Sequence, residues 1–168
     1  MIADMKNFDL STIGDFVSVL PICFYFEGFL RIVDNTSLDS SKFFLGMFSS
    51  TLLSDVIKRL PYPKCLYNIT RRPKGAENCD YLSKNGPAKE NAPGFPSGHM
   101  TTTAFYVVYK FLENNGSNLN QKERFFLVSL VIIMGWARYY KKCHNLTQIF
   151  GGVILGSSMA YMVNYLKV

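Results

Sequence analysis

Two histidines, His99 and His144, are the only ones in the chain, and each stands in a setting suited to phosphate chemistry. His99 closes Pro96-Ser97-Gly98-His99, directly before the apolar run MTTTAF. His144 ends the basic turn RYYKKCH, with five residues between it and Arg138. A phosphoryl group needs cations and backbone N–H groups around its oxygens. Ser97-Gly98 at a helix start offers these. The serine can cap, the glycine lets the backbone approach closely, and the helix N-terminus favours an anion. Arg72 and Arg138 suit planar, bidentate contact with phosphate oxygens. Lys58, Lys64 and Arg71 add charge from the loop before the motif. Two histidines can divide the labour, one attacking phosphorus and the other protonating the leaving oxygen. Alone, the PSGH stretch reads equally well as a plain helix cap, and a histidine in a basic turn is most often simply solvated. The combination carries the weight.

These residues need elements to position them. A chain of 168 residues implies one domain, 1–168. It is 48% hydrophobic and only 18% charged, below the usual quarter. The mean hydropathy of +0.08 is high for a soluble domain and modest for a multi-spanning one. The net charge of +6 calls for an anionic partner: phosphate, anionic lipid or nucleic acid. The aromatic residues suit helix packing and interface belts better than base stacking, so no nucleic-acid partner is expected. No zinc-ligand spacing and no acidic cluster for magnesium occurs, so neither metal nor cofactor is expected. Cys65 and Cys79 share one polar loop and could pair in an oxidising compartment, whereas Cys23 and Cys143 lie in or beside apolar segments. The glycosylation pattern at Asn35, Asn68, Asn115 and Asn145 is weak, because Asn145 adjoins His144.

Five apolar segments predict five long helices: 11–33, 42–60, 101–112, one centred on 125–137, and 149–163. Their apolar faces are nearly continuous, which favours buried or lipid-facing helices. Most fall short of the roughly 20 residues a spanning helix needs. Pro21 predicts a kink in the first, and Asp15 and Glu27 inside it are expected to face a helix partner or lie near an interface. With Asp4, Asp9 and Asp15 present, and Glu27 where a small-residue cleavage site would be wanted, the N-terminus reads as an uncleaved first helix rather than a signal peptide. Loop 58–97 holds six of the seven prolines and eight of the eighteen Lys and Arg residues. A loop this long in a compact domain is usually functional. If each segment crosses a membrane once, this loop and the 138–144 turn share one face, with 34–41 and 113–122 on the other. Positive-inside counting would make the basic face cytoplasmic, unless its cations were placed to bind phosphate.

Taken together, Lys, Arg72-Pro73, Pro96-Ser97-Gly98-His99 and Arg138-x5-His144 resemble the type 2 phosphatidic acid phosphatase superfamily. That family includes lipid phosphate phosphatases, undecaprenyl and dolichyl pyrophosphate phosphatases, glucose-6-phosphatase and vanadium haloperoxidases. The resemblance covers a motif-bearing core of about 42–166, with 58–97 as the active-site loop, and Gly152 and Gly156 resemble its small-residue helix. It implies an all-α, integral membrane, multi-pass helix bundle with the site at one face. It further implies a metal-independent phosphatase acting on a lipid phosphomonoester or isoprenyl pyrophosphate, with membrane lipids around it. By resemblance His144 attacks phosphorus and forms a phosphohistidine. His99 protonates the leaving oxygen and then activates water. Lys58 or Lys64, Arg72, Ser97, Gly98 and Arg138 hold the oxygens. The stretch RPKGAENCDYL…APGFPSGHMTTTAF also resembles members encoded by large DNA viruses, which would place the chain in a virion or host internal membrane.

Three departures stand out. The family usually has six residues between its lysine and Arg-Pro, whereas seven separate Lys64 from Arg72 and thirteen separate Lys58 from it. Lys58 is preferred, at a helix end, with PYPKCLYNIT as an insertion. Ala137 replaces the usual serine and removes a hydroxyl. Gln148 stands where an aspartate usually orients the nucleophile, and its carbonyl can still fix the imidazole tautomer without charge. The dolichyl pyrophosphate and glucose-6-phosphatase branches resemble the chain in this. The same departures motivate an alternative: a catalytically weak or inactive membrane structural or lipid-binding protein that keeps the fold. A vanadate-dependent haloperoxidase is a second rival, disfavoured by the small, membrane-like chain.

Overall fold

The computed structural model describes residues 10–34, 38–79, 87–88, 91–113 and 119–166. Five long helices occupy the five apolar segments: α1 (Leu10–Asp34), α2 (Leu38–Lys58), α4 (Gly98–Leu112), α5 (Gln121–Tyr140) and α6 (Leu146–Tyr165). Loop 58–97 adds a 3-10 turn, Lys64–Leu66, and a single-turn helix, α3 (Tyr67–Thr70). α1 stays helical through Pro21. α5 and α6 each start with a reciprocal cap. Asn120 accepts from the Glu123 amide, and the Glu123 carboxylate accepts from the Asn120 amide. Asn145 and Gln148 repeat the arrangement. Each box satisfies two N–H groups that a helix start otherwise leaves open.

α4 and α6 are the most intimately packed pair. A Cβ on Gly152 would stand 2.6 Å from the Ser97 carbonyl oxygen and 2.7 Å from Met100 Cβ. A Cβ on Gly156 would collide with the Thr101 carbonyl and approach the Phe105 nitrogen at 2.9 Å. The missing side chains let the two backbones touch. Around this pair lies a core in which Phe24, Phe43, Met47, Phe105 and Tyr109 are buried together. A second cluster joins Val17, Met100, Met134, Ala137 and Ile149.

Polar groups tie the bundle at both ends. Glu27 accepts from Tyr106 (2.7 Å) and Lys110 (2.5 Å), and Arg31 pairs with Glu27 and Glu113. Asp15 pairs with Lys141 at 2.5 Å. Glu27 and Asp15 therefore both face partners on other segments. The outer surface carries large exposed apolar side chains, including Phe16, Phe125, Ile132 and Ile154. Two helical stretches, Thr12–Asp34 and Leu146–Tyr165, are long and apolar enough to cross a membrane.

The described parts of the long loop are folded. Arg71 and Pro93, and Glu77 and Pro87, form isolated antiparallel bridges, and the Gly94 amide donates to the Thr70 carbonyl at 2.8 Å. A disulfide joins Cys79 to Cys143. This corrects the Cys65–Cys79 pairing: Cys65 is free and exposed on the 3-10 turn, while 71–79 runs back against the α5–α6 turn. Closing a loop of 64 residues stabilises the fold by about 4 kcal/mol in the chain-entropy picture.

Two stability outcomes are expected. Gly156→Val should lower stability by about 3 kcal/mol, because its side chain has only backbone to displace. Reduction of Cys79–Cys143 should lower the Tm, whereas Cys65→Ser should leave the stability within about 0.5 kcal/mol of the parent. Thermal unfolding followed by circular dichroism measures both.

Candidate active site

Six segments deliver side chains to one end of the bundle. The last turn of α2 brings Ser54 and Lys58, the start of α4 brings Ser97, Gly98 and His99, and the end of α5 brings Arg138. The α5–α6 turn brings His144, the first turn of α6 brings Gln148, and the folded loop brings Arg72. Lys58, Arg72 and Arg138 are all within electrostatic reach of both imidazoles. A Cβ on Gly98 would lie 3.1 Å from Lys58 Nζ. The structure thus gathers Lys58 with the histidines and leaves Lys64 exposed on its 3-10 turn, outside the group.

His144 is held by a chain of defined donors. Gln148 Nε2 donates to the carbonyls of Ile69 (2.8 Å) and Arg71 (2.6 Å). With its amide nitrogen committed, Gln148 Oε1 faces His144 Nδ1 at 3.1 Å. The imidazole therefore carries its proton on Nδ1 and keeps the Nε2 lone pair. Burial holds the His144 pKa well below its ordinary value, and the Arg72 and Arg138 charges push the same way, while the bond to Gln148 opposes them weakly. His144 is accordingly neutral at neutral pH. Gly94 packs on the Gln148 amide, where a Cβ would come within 2.7 Å of Nε2.

Arg138 is fully buried. It donates to the Cys79 carbonyl at 3.1 Å and to the Ser18 hydroxyl, and its Nη1 lies 3.2 Å from His99 Nε2. A guanidinium only donates, so His99 Nε2 is the acceptor here. α1 thus contributes Ser18 to the arginine's support, a role hidden in the sequence by a separation of 120 positions.

Ser97 occupies the N-cap position of α4, but its hydroxyl makes no capping bond. This corrects the capping expectation. Ser97 Oγ is buried and has no hydrogen-bond partner among the described residues, and the same holds for Ser54 Oγ. Ser54 lies 3.8 Å from the position of a Cβ on Gly98. An unmade hydrogen bond at a buried hydroxyl costs about 1–3 kcal/mol, which an oxyanion placed here would recover. Ser54 escaped the sequence reading. Its signal was the four-residue spacing from Lys58, which puts both on one face of α2. Ala137 sits in the apolar cluster with Met100 and Met134, so the absent hydroxyl belongs to a packed position.

The arrangement offers a fixed imidazole lone pair, a second imidazole, three cations, two unengaged hydroxyls and the open N–H groups of a helix start. It suits a tetrahedral oxyanion. In comparison with known proteins, the family model described as the PAP2 superfamily matches residues 40–168. No curated protein sequence matches the chain, and no solved structure does.

Removing the Arg72 charge should raise the His144 pKa. Arg72→Gln deletes a cation that disfavours the imidazolium, so protonation should set in at higher pH than in the parent. An NMR titration of the His144 ring reads this directly. An unmoved or lowered pKa would contradict the geometry.

Proposed function

Because the chain belongs to the PAP2 superfamily, whose members are phosphatases acting on phosphate esters, we propose that it hydrolyses a lipid phosphomonoester or pyrophosphate through a phosphohistidine at His144. The observation that carries this is the Gln148–His144 pair, which holds one imidazole neutral with its Nε2 lone pair available. Nε2 attacks phosphorus as the P–O bond to the alcohol or phosphate leaving group breaks. His99 Nε2 takes up the proton that the substrate brings as its monoanion and gives it to the leaving oxygen. His99 then takes a proton from water, whose oxygen attacks phosphorus, and the P–N electron pair returns to His144. Phosphate oxygens draw Arg138 N–H groups onto themselves, which releases His99 Nε2 for proton transfer. Lys58, Arg72, Ser97, Gly98 and Arg138 hold the oxygens, and cations and amides supply the charge stabilisation there. A lipid substrate and a multi-pass membrane setting fit the exposed apolar belt, the two long apolar helices, and Trp136, Tyr139 and Tyr140 at the site end of α5.

The protein purified in detergent and offered phosphatidic acid should release phosphate in the presence of EDTA. Vanadate should block it and His144→Ala should abolish it. No release from any lipid phosphate by a folded sample would leave the inactive lipid-binding reading instead.

Gln148→Glu should reduce kcat/KM by roughly 10- to 100-fold. A carboxylate would face the Ile69 and Arg71 carbonyls, at a cost of about 1.4–2.8 kcal/mol in transition-state positioning. A gain in activity on installing that carboxylate would show that the amide is not what orients His144.

A further inference from the structure

Arg138 is gripped from two sides by groups set to accept. One is the Cys79 carbonyl, 3.1 Å from Nη1. The other is Ser18 of α1, whose hydroxyl takes a bond from Nη2. Ser18 is itself oriented. Its proton goes to the Gly14 carbonyl, one turn earlier, at 2.6 Å. With that proton committed, the oxygen turns its lone pairs to the arginine, and a guanidinium has only donors to offer. The serine is 1% exposed, so the contact is shielded from solvent.

Lys141, three residues on at the end of α5, repeats the pattern. Its Nζ pairs with Asp15 of α1 at 2.5 Å and donates to the Asn78 carbonyl at 2.9 Å. Asp15 and Ser18 share one face of α1, as residues three apart do. Gly14 lets the segments close up, since a Cβ there would stand 3.3 Å from Lys141 Cδ. Val17 packs with Met134 and Ala137 alongside. Arg138 and Lys141 thus each bridge α1 to residues 78–79. Arg138 reaches a histidine as well, with Nη1 3.2 Å from His99 Nε2. Ser18 and Cys79 hold one N–H on each terminal nitrogen, which fixes the guanidinium plane while Nη1 faces His99. α1 ends at Asp34, before the residues 40–168 that match the family model, so that match gives Ser18 no role.

We propose that Ser18 is a positioning residue, acting through Arg138 to hold the guanidinium where an oxyanion at the two histidines meets it. The assignment rests on the reading of that cluster as the phosphate site. Without the hydroxyl, Nη2 loses a buried acceptor and the side chain turns towards another. The anion then meets a guanidinium that must be brought back into place, and part of the binding free energy is lost to that rearrangement.

Vanadate binding to the full chain in detergent, followed by isothermal titration calorimetry, tests this without turnover. Ser18→Ala should weaken binding roughly tenfold, as the loss of one hydrogen bond to a charged group would give. Ser18→Cys, whose thiol is a weak acceptor, serves should Ser18→Ala not fold. In an Arg138→Met background the same change at Ser18 should alter the affinity by less than about twofold, because its route to the ligand is gone. Arg138→Lys, which lacks the planar fork, takes the place of that background should Arg138→Met not fold or bind too weakly. A tenfold loss in both backgrounds would mark a merely structural serine and overturn the proposal. Unchanged affinity in the folded single variant would overturn it too. In turnover, kcat/KM for phosphatidic acid should fall by about the same factor. Vanadate binding that responds to Ser18, in a parent that releases no phosphate from any lipid, would remove the catalytic reading and leave the positioning role standing.

Discussion

The contact of α4 with α6 through Gly152 and Gly156 sets the rest of the site. Two helices whose backbones touch have little freedom to slide. Their shared register places Ser97 beside the first turn of α6, where the Ser97 amide donates to the Gln148 carbonyl at 3.0 Å. That one bond links the helix start carrying His99 to the residue that aims His144. The two imidazoles are thus positioned by a single helix pair, although 45 positions separate them in sequence. Larger residues at either glycine would part the backbones and the histidines with them.

Gln148 extends the same logic to the loop. Its side chain makes three kinds of contact at once: the Nδ1 proton of His144, the Asn145 amide, and two carbonyls at the end of α3. A carboxylate could serve the first two and would oppose the third. The amide is therefore matched to a loop that turns its carbonyls inward. Gly94 leaves the space for it. The insertion PYPKCLYNIT, which forms the 3-10 turn and α3, supplies the Ile69 carbonyl. In this chain the neutral residue and the reshaped loop belong together.

Much of this was legible in the sequence. Five uninterrupted apolar segments gave five helices in place, because nothing local competes with a long apolar run. PSGH and the Arg138–His144 spacing marked one end of the bundle, and the short 34–41 and 113–122 connections fixed which ends met. The less legible parts are those that depend on distant contacts. Cys79 pairs across 64 positions, and no spacing rule distinguishes Cys143 from Cys65 as its partner. Ser97 looked like a cap because it has the right residue type at the right position. Only the fold shows its hydroxyl buried and unengaged. Asn145-x-x-Gln148 is a reciprocal cap whose residue types and spacing are visible in the sequence, and Gln148 serves both that cap and His144.

The Cys79–Cys143 bond also speaks to sidedness. It joins the folded loop to the residue beside His144, so it lies at the histidine end of the bundle. Glutathione keeps such bonds open in the cytosol, and they persist in lumenal, periplasmic or external surroundings. Counting basic residues would turn the same end towards the cytosol. Yet Lys58, Arg72 and Arg138 gather around two imidazoles, so their placement answers to that cluster as well as to topology. A closed sulfur bridge at this end persists only where glutathione is kept away from it.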